Sequence, residues 1–339
     1  MTQPDNQPEI LRPLKTWSHL AGGRRRPSEY EIVSIKTLFN AKNPERPLEL
    51  DSNIFMNRWL RQYRIDSPLK HPDWDGFRDP DEHIYRTYTT LQNGQETYVD
   101  GLLDHHDEQA HDHGLSDSWI ATLATLYTPM RYLLHTVQMC SAYLVVVAPS
   151  STIDNCAAMQ AGDQFRWLSR VAYRTAELAQ HRPTAGFGQN ERGHWEQHDA
   201  WQGARELMER LLIAYDWGEA FVGLNLVAKP AIDEGILRPL ASAARRHGDT
   251  LLAFLIEAQL RDSERSRRWS NALVRYALAG ESGNAAVIRG WIDKWMPQAE
   301  AMIEAYCAAL PDVPSAVADA ADAIKAVHLG LGLATATAA

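Results

Sequence analysis

The chain has 339 residues, of which 45% are hydrophobic and 23% charged, so it can bury a sizeable core as one large domain or two smaller ones. Its net charge of -9 at pH 7 argues against bulk nucleic-acid binding, which needs a basic surface. Eleven tryptophans and twelve tyrosines are typical of a large core and of subunit interfaces.

The cysteines and the N-terminus indicate the compartment. Cys140, Cys156 and Cys307 lack CxxC spacing and lie in apolar helical stretches, which predicts buried, reduced thiols. The N-terminus is polar and lacks the apolar core of a signal peptide. The most membrane-like stretch, residues 132–148, contains polar residues and is shorter than the ~20 residues of a span. We therefore expect a cytoplasmic protein.

Proline interrupts residues 1–80 at short intervals, and no helical periodicity is sustained there. Aromatic residues stand between the prolines, whereas a disordered segment would be poor in aromatics. We predict an extended arm over residues 1–80 that packs against this chain's own body or against a partner. The candidate interface residues are Trp17, Tyr30, Phe55, Trp59, Tyr63 and Trp74.

Three consecutive arginines, Arg24, Arg25 and Arg26, lie in this arm. One interpretation is a contact with nucleic acid or another anion. A solvated or salt-bridged turn agrees better with the acidic chain.

Long helical periodicity begins at Asp81, and residues 81–109 are predicted to form one helix. A second helix, capped by Ser116 or Asp117, extends to Ala148, and Pro129 should kink it. Its apolar residues recur at spacings of three and four and predict a coiled-coil-like seam: Ile120, Leu123, Tyr127, Met130, Leu134, Val137, Ser141 and Leu144.

A third helix is predicted from a cap at Thr152 to about Gln180. Small side chains dominate its expected inner face, which allows a neighbouring helix to approach closely: Ala157, Ala161, Phe165, Leu168, Ala172 and Ala176. The polar, glycine-rich residues 181–200 are predicted to be a connection.

The stretch from Trp201 to Pro230 has helical periodicity and is predicted to form the central helix. Glu219 should face the same side as Tyr215 and Val222, and a carboxylate among apolar neighbours is costly without a partner. In helical bundles such a glutamate often belongs to a Glu-x-x-His ligand pair, but the third residue on is Val222. Glu219 is therefore interpreted as a vestigial ligand position.

Further helices are predicted near residues 232–246, at 250–279 after a cap at Asp249, and at about 284–310. From Pro311 the chain is rich in alanine and is expected to form a loosely held tail, residues 311–339. No β-alternation is found. Four long helices with crossover connections predict an all-α, ferritin-like bundle over residues 81–310.

A ferritin-like bundle raises the possibility of a di-iron site with Glu-x-x-His pairs. Two such pairs occur, Glu108 with His111 and Glu191 with His194. The first lies in a polar run at a helix end and the second in a glycine-rich connection, whereas ligands should lie mid-helix among apolar residues. Neither pair is predicted to bind metal.

Other potential ligands have simpler interpretations. The histidines at 105, 106, 111 and 113 could bind zinc but are more typical of a solvated helix end. His135 is expected to be a core histidine with a hydrogen-bond partner. Asp163 and Glu177 are expected to pair with arginines such as those at 166, 170 and 174. There is no P-loop, GxGxxG, GxSxG or HExxH motif.

Four segments together resemble a known family: TWSHLA (16–21), RRPSEYEIVS (25–34), SPLKHPDWDGFRDPDEHIYRTY (67–88) and WQGARELMERLLIAYDWGEAFVGLNLVAKP (201–230). They are similar to the β subunit of the hydroxylase of soluble bacterial multicomponent di-iron monooxygenases, in the toluene/aromatic and alkene (isoprene-type) branch. The resemblance covers roughly residues 14–310 and excludes the alanine-rich tail.

This resemblance implies a ferritin-like subunit without di-iron ligands, so that no catalytic, cofactor-binding or metal residue carries over to this chain. It implies an (αβγ)₂ hydroxylase with non-haem di-iron in the α subunit. NADH would supply electrons through a reductase with FAD and a [2Fe-2S] centre and through a Rieske [2Fe-2S] ferredoxin, and a small effector protein would bind the hydroxylase.

The resulting hypothesis is a non-catalytic structural subunit of an oxygenase that hydroxylates aromatics or epoxidises alkenes. One alternative is a self-contained ferritin-like oxidase that uses Glu108 and His111. Another is a non-enzymatic helical binding module that uses the arginines at 24–26 for an anion.

Overall fold

A computed structural model describes residues 20, 26–37 and 53–333. These residues form α-helices, short 3₁₀ turns and π-helical turns, and they contain no β-strand. The prediction of an all-α protein is therefore confirmed. Trp17, Arg24 and Arg25 lie outside the described residues.

The first seven helices are α1 (Glu29–Ser34), α2 (Phe55–Leu60), α3 (Tyr85–Glu108), α4 (Asp117–Thr122), α5 (Met130–Val147), α6 (Ser151–His181) and α7 (Glu191–Gln197). The next seven are α8 (Asp199–Leu211), α9 (Trp217–Val222), α10 (Lys229–Ile232), α11 (Arg238–Arg246), α12 (Thr250–Gly280), α13 (Asn284–Ala309) and α14 (Ala316–Gly330). Four π-helical turns continue α2, α4, α9 and α10: Arg61–Ile65, Leu123–Tyr127, Gly223–Ala228 and Asp233–Leu237.

Side-chain caps fix where three of the helices, α4, α6 and α12, begin. The Ser116 hydroxyl accepts a hydrogen bond from the Trp119 amide, and the Asp249 carboxylate accepts one from the Leu252 amide, as predicted for these caps. The predicted cap at Thr152 is wrong by two residues. The Ser150 hydroxyl caps α6 and accepts a hydrogen bond from the Thr152 amide.

The predicted seam of α4 and α5 is confirmed, because all eight of its residues are buried. The predicted inner face of α6 is confirmed at Ala157, which is fully buried, but is wrong further along the helix. Phe165 is 58% exposed and Ala176 is also exposed, whereas Gln160, Asp163 and Arg174 are buried. Helix α6 therefore turns a polar stripe towards the bundle interior, which an apolar periodicity cannot indicate.

The predicted continuous helix from Trp201 to Pro230 is interrupted after Leu211, and its second part continues past Pro230. Helix α8 ends at Leu211, and the Asp216 carboxylate accepts hydrogen bonds from the amides of Gly218 and Glu219 to begin α9. The chain then continues as α10 and α11 to Arg246, so the predicted break at Pro230 is wrong. The π-helical turn before Pro230 shifts the hydrogen-bond register, and a residue without an N–H is tolerated there.

Two further segments are more ordered than expected. The predicted connection 181–200 contains α7. In the alanine-rich segment, α14 buries Ala316, Ala320, Ile324 and His328, which recur every four residues and form one stripe on the helix. Residues 316–330 are thus part of the packed bundle, which corrects the expectation of a loosely held tail.

Side chains from other helices bond backbone carbonyls within the three π-helical turns of the bundle. A π-helical turn disturbs the regular ladder, and a buried carbonyl needs a donor. The four contacts, at 2.8–3.3 Å, run from Trp201 to the Thr125 oxygen, from Tyr306 to Leu126, from His328 to Leu226 and from Cys307 to Gly235. Helices α8, α13 and α14 therefore hold these turns in place.

Within the described residues, no helix is long and apolar enough to cross a membrane.

Candidate functional site

The predicted vestigial ligand Glu219 does not lie in the bundle interior. It stands in the first turn of α9 with its side chain 16% exposed, and the Lys294 ammonium of α13 donates a hydrogen bond to it. The ion pair supplies the partner that the sequence pattern lacked. The interpretation of Glu219 as a core-facing remnant of a ligand set is therefore corrected.

The two Glu-x-x-His pairs do not converge on a common point. Glu108 is exposed at the end of α3, while the His111 ring contacts the Asp249 carboxylate at 3.2 Å. Glu191 is buried and accepts a hydrogen bond from the Gly188 amide at the start of α7. Both pairs therefore serve local structure.

Two further histidines, His106 of the cluster and His181 of α6, bond to protein groups. The His106 ring contacts the Leu102 carbonyl oxygen at 2.8 Å, and the His181 ring contacts the Asp112 carboxylate at 2.9 Å. No group of three His, Cys, Asp or Glu side chains in the described part of the chain has a metal-holding arrangement. His135 is exposed on α5, so its expected core position is wrong.

The interior of the bundle instead holds a buried set of paired charges on α3, α6 and α12. Asp163 of α6 is fully buried. Its Oδ1 accepts hydrogen bonds from the Tyr88 hydroxyl (2.9 Å) and the Gln92 amide (2.8 Å), both on α3. Its Oδ2 accepts one from the Arg265 guanidinium of α12. Asp163 thus pairs with an arginine of a different helix, not with one of its own helix as expected.

Asp262 of α12 mirrors this arrangement. Its Oδ1 accepts a hydrogen bond from the same Gln92 amide at 3.0 Å. Its Oδ2 accepts hydrogen bonds from the Trp167 indole at 2.7 Å and from the Arg166 guanidinium, both on α6. The two aspartates and two arginines are therefore cross-paired between α6 and α12, with Gln92 bridging both carboxylates. We call Gln92, Asp163, Arg166, Asp262 and Arg265 the central charge cluster.

Burial sets the electrostatics of this cluster. Desolvation lowers the pKa of Arg265, since the charged form loses its hydration. Desolvation also raises the pKa of Tyr88, so the phenol stays a neutral donor to Asp163. The pairing compensates two carboxylates that would be costly to bury alone.

Further ion pairs extend from the cluster towards solvent along α3 and α6. Arg166 donates to Glu96 at 2.6 Å, and Arg170 bonds both Glu96 and Asp100. The predicted pairing of Glu177 is confirmed, since its carboxylate lies 3.2 Å from Arg174. These contacts align α3 and α6 side by side.

Two of the predicted interface residues pack against this chain's own body. Tyr30 is 3% exposed, and its hydroxyl accepts a hydrogen bond from the Asp79 amide. The Trp74 ring packs edge-on against Trp217, with the ring centroids 4.9 Å apart. Tyr30 is therefore buried and not available to a partner, which corrects the expectation for this residue, whereas Trp74 stays partly exposed and remains an interface candidate.

Three other candidates lie at the surface in one aromatic group. Phe55 is 67% exposed, and its ring contacts Trp59, which in turn contacts Tyr63 and Tyr215. Tyr143 holds the group, because its hydroxyl accepts from the Trp59 indole at 3.0 Å and donates to the Tyr215 carbonyl at 2.6 Å. Exposed aliphatic side chains from the same chain segments extend it. We call this set the aromatic surface: Ile54, Phe55, Met56, Trp59, Tyr63, Ile213 and Tyr215.

A groove of about 470 Å³ borders the aromatic surface. Tyr63, Ile213 and Tyr215 form part of its wall, and the charged side chains of Arg210 and Lys294 stand along it. The surface therefore combines an apolar centre with a charged edge.

Comparison with known proteins agrees with this architecture. Two solved structures share the fold. One is toluene 4-monooxygenase with toluene bound in its resting active site, at a TM-score of 0.83 and 52% identity, covering 88% of this chain and 98% of that one. The other is phenol hydroxylase from Pseudomonas sp. OX1, at a TM-score of 0.82 and 19% identity, covering 99% of both chains. The fold defines the ferritin-like class of hydroxylase subunits.

Sequence relatives narrow this class to a family. Residues 59–281 match the family described as Methane/Phenol/Alkene Hydroxylase. The β subunit of the hydroxylase component of the toluene-4-monooxygenase system of Ectopseudomonas mendocina is 52% identical over 302 residues, which cover 89% of this chain and 92% of that protein. The small subunit of the propane 2-monooxygenase hydroxylase component of Mycolicibacterium smegmatis is 22% identical, with 94% and 88% covered. The chain belongs to the methane/phenol/alkene hydroxylase family.

This membership confirms two predictions made from sequence. The chain is a homologue of the β and small subunits of multicomponent monooxygenase hydroxylases, and so of one part of an oxidoreductase complex. A subunit of this kind has a larger hydroxylase partner. The ferritin-like fold is confirmed as well.

Proposed function

We propose that the chain is the structural β subunit of a hydroxylase whose chemistry takes place in a catalytic α subunit, and that it binds α through the aromatic surface. The observation that carries this proposal is the exposure of that surface. Phe55, Met56 and Ile213 are 67%, 46% and 63% exposed. The Phe55 ring contacts Trp59, Trp59 contacts Tyr215, and Ile213 and Tyr215 line the same groove. Large contiguous apolar patches on soluble proteins mark interaction sites.

The composition of the surface suits a subunit interface. Aromatic residues and methionine are enriched at the centres of interfaces, whereas charged residues belong to the rim. Trp59 and Tyr143 fix one another by a hydrogen bond, so little side-chain entropy is lost when a partner covers the rings. Lys294 and Arg210 at the groove supply the polar rim.

The α subunit is the occupant proposed for the surface. The relatives are designated β or small subunits of a hydroxylase component, which implies a partner subunit in the same component. The family resemblance further supports an (αβγ)₂ hydroxylase with di-iron in α. We also propose that a small γ subunit and an effector protein bind the hydroxylase. Electrons would reach it through partners with FAD and [2Fe-2S] centres, including a Rieske ferredoxin, and the complex would hydroxylate aromatics or epoxidise alkenes.

We further propose a division of labour along the chain. Residues 1–80 form an arm that is part anchor and part interface, residues 81–310 the bundle, and residues 311–339 a C-terminal extension of which α14 packs on the body. The N-terminal candidate Trp17 belongs to the interface part of this proposal. A cytoplasmic location is supported by three buried free thiols, at Cys140, Cys156 and Cys307.

The experiment is co-purification of the α subunit with a tagged form of this chain. We expect Phe55→Asp combined with Ile213→Asp to reduce the recovered α subunit by about ten-fold or more, because each change buries a charge in an apolar interface. The matched control is Phe165→Asp, which alters an aromatic residue of 58% exposure on α6. Undiminished recovery with the double variant would remove the aromatic surface from the interface.

A second measurement tests the non-catalytic role. The full chain purified alone from iron-rich medium should contain no tightly bound iron, and iron should appear only when α is co-purified. About two irons per isolated chain, the load of a carboxylate di-iron site, would show that this bundle is itself catalytic.

A further inference from the structure

A groove runs between the last two helices of the described chain, α13 and α14. Asp293 near the start of α13 acts electrostatically on His328 near the end of α14, so the two helices are antiparallel. The groove between them has a volume of about 500 Å³ and is open to solvent. We call it the α13–α14 groove, and its apolar lining consists mainly of Ile292, Met296, Ile303, Val317 and Ile324.

The sequence explains why the two helices do not close this gap. Pro297 lies inside α13 and lines the groove. A proline within a helix removes one backbone hydrogen bond and bends the helix axis. On the α14 wall, Ala321 contributes only a methyl group. Because Pro297 has no N–H, the carbonyl oxygen of Asp293 also lacks its usual helical donor.

Three carboxylates line the α13 side of the groove, those of Asp293, Glu300 and Glu304. All three residues are exposed, and none forms an ion pair within the described part of the chain. Offsets of seven and four residues place them on one side of α13, where like charges repel one another. By contrast, Glu206 of α8 pairs with Arg210 one turn away. The groove therefore carries negative charge that this chain leaves unneutralised.

The α14 side of the groove does not balance this charge. Its one cation is Lys325, against the three carboxylates of α13. His328 also lines the groove, and its Nε2 donates a hydrogen bond to the Leu226 carbonyl oxygen. Burial lowers the pKa of His328, so the ring is neutral and its Nδ1 is a further acceptor. An occupant of the groove must therefore bring hydrogen-bond donors and positive charge.

We propose that the α13–α14 groove receives an amphipathic helix of another subunit of the hydroxylase. The apolar face of that helix packs on the groove lining, and lysine or arginine side chains at its edge pair with Asp293, Glu300 and Glu304. The inference rests on the proposed function only because it places the chain in a hydroxylase of several subunits. It does not depend on the aromatic surface.

The dimensions of the groove suit one helix of a partner. Residues 292–304 of α13 line it, and at a rise of 1.5 Å per residue they extend over about 18 Å, or roughly three helical turns. Two helices with an apolar gap between them offer ridges on which a third helix packs. The basic edge of the occupant follows from charge complementarity with the three carboxylates.

The position of the groove connects it to the proposed subunit interface. Lys294 and Gln298 lie on the opposite side of α13, where they line the groove that borders the aromatic surface. The two grooves are therefore separated by one helix, about 10 Å in diameter. A subunit that covers the aromatic surface can extend across α13 and reach the α13–α14 groove.

The first test is photo-cross-linking in the co-expressed hydroxylase. p-Benzoylphenylalanine replaces Val317, which lines the groove and is 39% exposed. The control position is Leu329, which is 54% exposed on the same helix and does not line the groove. We expect the Val317 position to cross-link a segment of a partner subunit that contains lysines or arginines, and the Leu329 position to give only background. Equal yields, a product that joins two copies of this chain, or a partner segment without basic residues would each overturn the proposal.

The second test needs only the full chain and a synthetic probe. The probe is a fluorescein-labelled amphipathic helix of leucine and lysine, and fluorescence anisotropy measures its binding. We expect Glu300→Lys with Glu304→Lys to weaken binding about ten-fold or more, because two attractive contacts become repulsive. The control, Asp319→Lys with Asp322→Lys, changes the net charge equally on exposed positions of α14 outside the groove. Equal weakening in both variants, or no binding by the wild type, would contradict the inference.

Failure of this inference can be distinguished from failure of the proposed function. p-Benzoylphenylalanine in place of Phe55 reports whether α covers the aromatic surface in the same complex. A cross-link to α from Phe55 but none from Val317 would exclude the α13–α14 groove and leave the proposed contact with α intact. A cross-link from Val317 alone would have the opposite meaning.

Discussion

Arg174 of α6 forms a bidentate ion pair with Asp112, which lies in the short 3₁₀ turn His111–Gly114 after α3. Both side chains are buried, at 5% and 4% exposure. The contact joins the C-terminal half of α6 to the turn at the end of α3. It lies next along α6 after Arg170, which pairs with Glu96 and Asp100. Arginines 166, 170 and 174 of α6 therefore bind carboxylates along α3 and in the turn that follows it.

Removing one partner of this pair should be costly. Arg174→Met leaves the Asp112 carboxylate buried without its cation, and we expect the free energy of unfolding to fall by about 3–5 kcal/mol. Urea unfolding measures the change. Arg170→Met, whose partners Glu96 and Asp100 are 30% and 57% exposed, should cost about 1 kcal/mol or less. Equal losses in the two variants would mean that burial does not determine the strength of these pairs.

The same pair predicts how stability depends on acid. Burial would raise the pKa of Asp112, but the hydrogen bonds and charges of Arg174 and His181 lower it from 3.8 to about 2. A depressed folded-state pKa gives stability that is present above the unfolded value and is lost as the pH falls from about 4 to about 2. The contribution is on the order of 2 kcal/mol. Unfolding measured from pH 2 to pH 5 should show this dependence in the wild type and not in Asp112→Asn.

Asp154 should show the opposite dependence. Burial raises its pKa from 3.8 to about 8, and the Arg64 charge opposes this only in part. Arg64 donates instead to the Val146 and Val147 carbonyl oxygens, and the Asp154 carboxylate oxygens have no hydrogen-bond partner among the described residues. A raised folded-state pKa means that the wild type loses stability as the pH rises from about 4 to about 8.

The change that tests this is Asp154→Asn. The variant should gain on the order of 5 kcal/mol relative to the wild type between pH 4 and pH 8, since its side chain does not ionise. Chemical unfolding at the two pH values gives the comparison, and pH 4 serves as the internal reference. A constant difference between wild type and variant would show that Asp154 ionises normally in the folded protein.

Helix α14 should stabilise the π-helical turn at Gly223–Ala228. His328→Phe leaves the Leu226 carbonyl buried without its donor, and we expect a loss of about 1–3 kcal/mol. Hydrogen exchange of the amides in this turn should accelerate in the variant. His135→Phe, which changes an exposed histidine of α5, is the matched control. Unchanged exchange in His328→Phe would mean that the turn is stable without α14.

Local signals in the sequence predicted a large part of the fold, since capping and apolar periodicity act over a few residues. Ser116 and Asp249 begin their helices as expected, and the seam from Ile120 to Leu144 is buried throughout. The predicted break at Pro230 is wrong because the effect of this proline depends on the π-helical turn before it, and no sequence pattern indicates such a turn.

The interior was harder to predict because its residues are polar. The sequence predicts that Asp163 pairs with an arginine, but the arginine that it bonds, Arg265, lies on α12, about a hundred residues away. The available signal was the recurrence of Asp-x-x-Arg on two long helices. The same spacing also occurs in a loop, at Asp75 and Arg78, so it gains meaning only once α6 and α12 are known to face each other. The partner of Glu219 could not be predicted from the local sequence either, because Lys294 lies 75 residues away.

The π-helical turns also limit how many residues the helical run from Trp217 to Arg246 can contain. Each such turn accommodates one residue more than an α-helical path, and one residue corresponds to about 100° of helix rotation. Loss of a single residue from Gly223–Ala228 would rotate the helical residues that follow, up to Arg246. Asp233, which now accepts a hydrogen bond from the Ser263 hydroxyl at 2.8 Å, would move away from this partner. Evolution can therefore exchange side chains in this helix far more readily than it can insert or delete a residue.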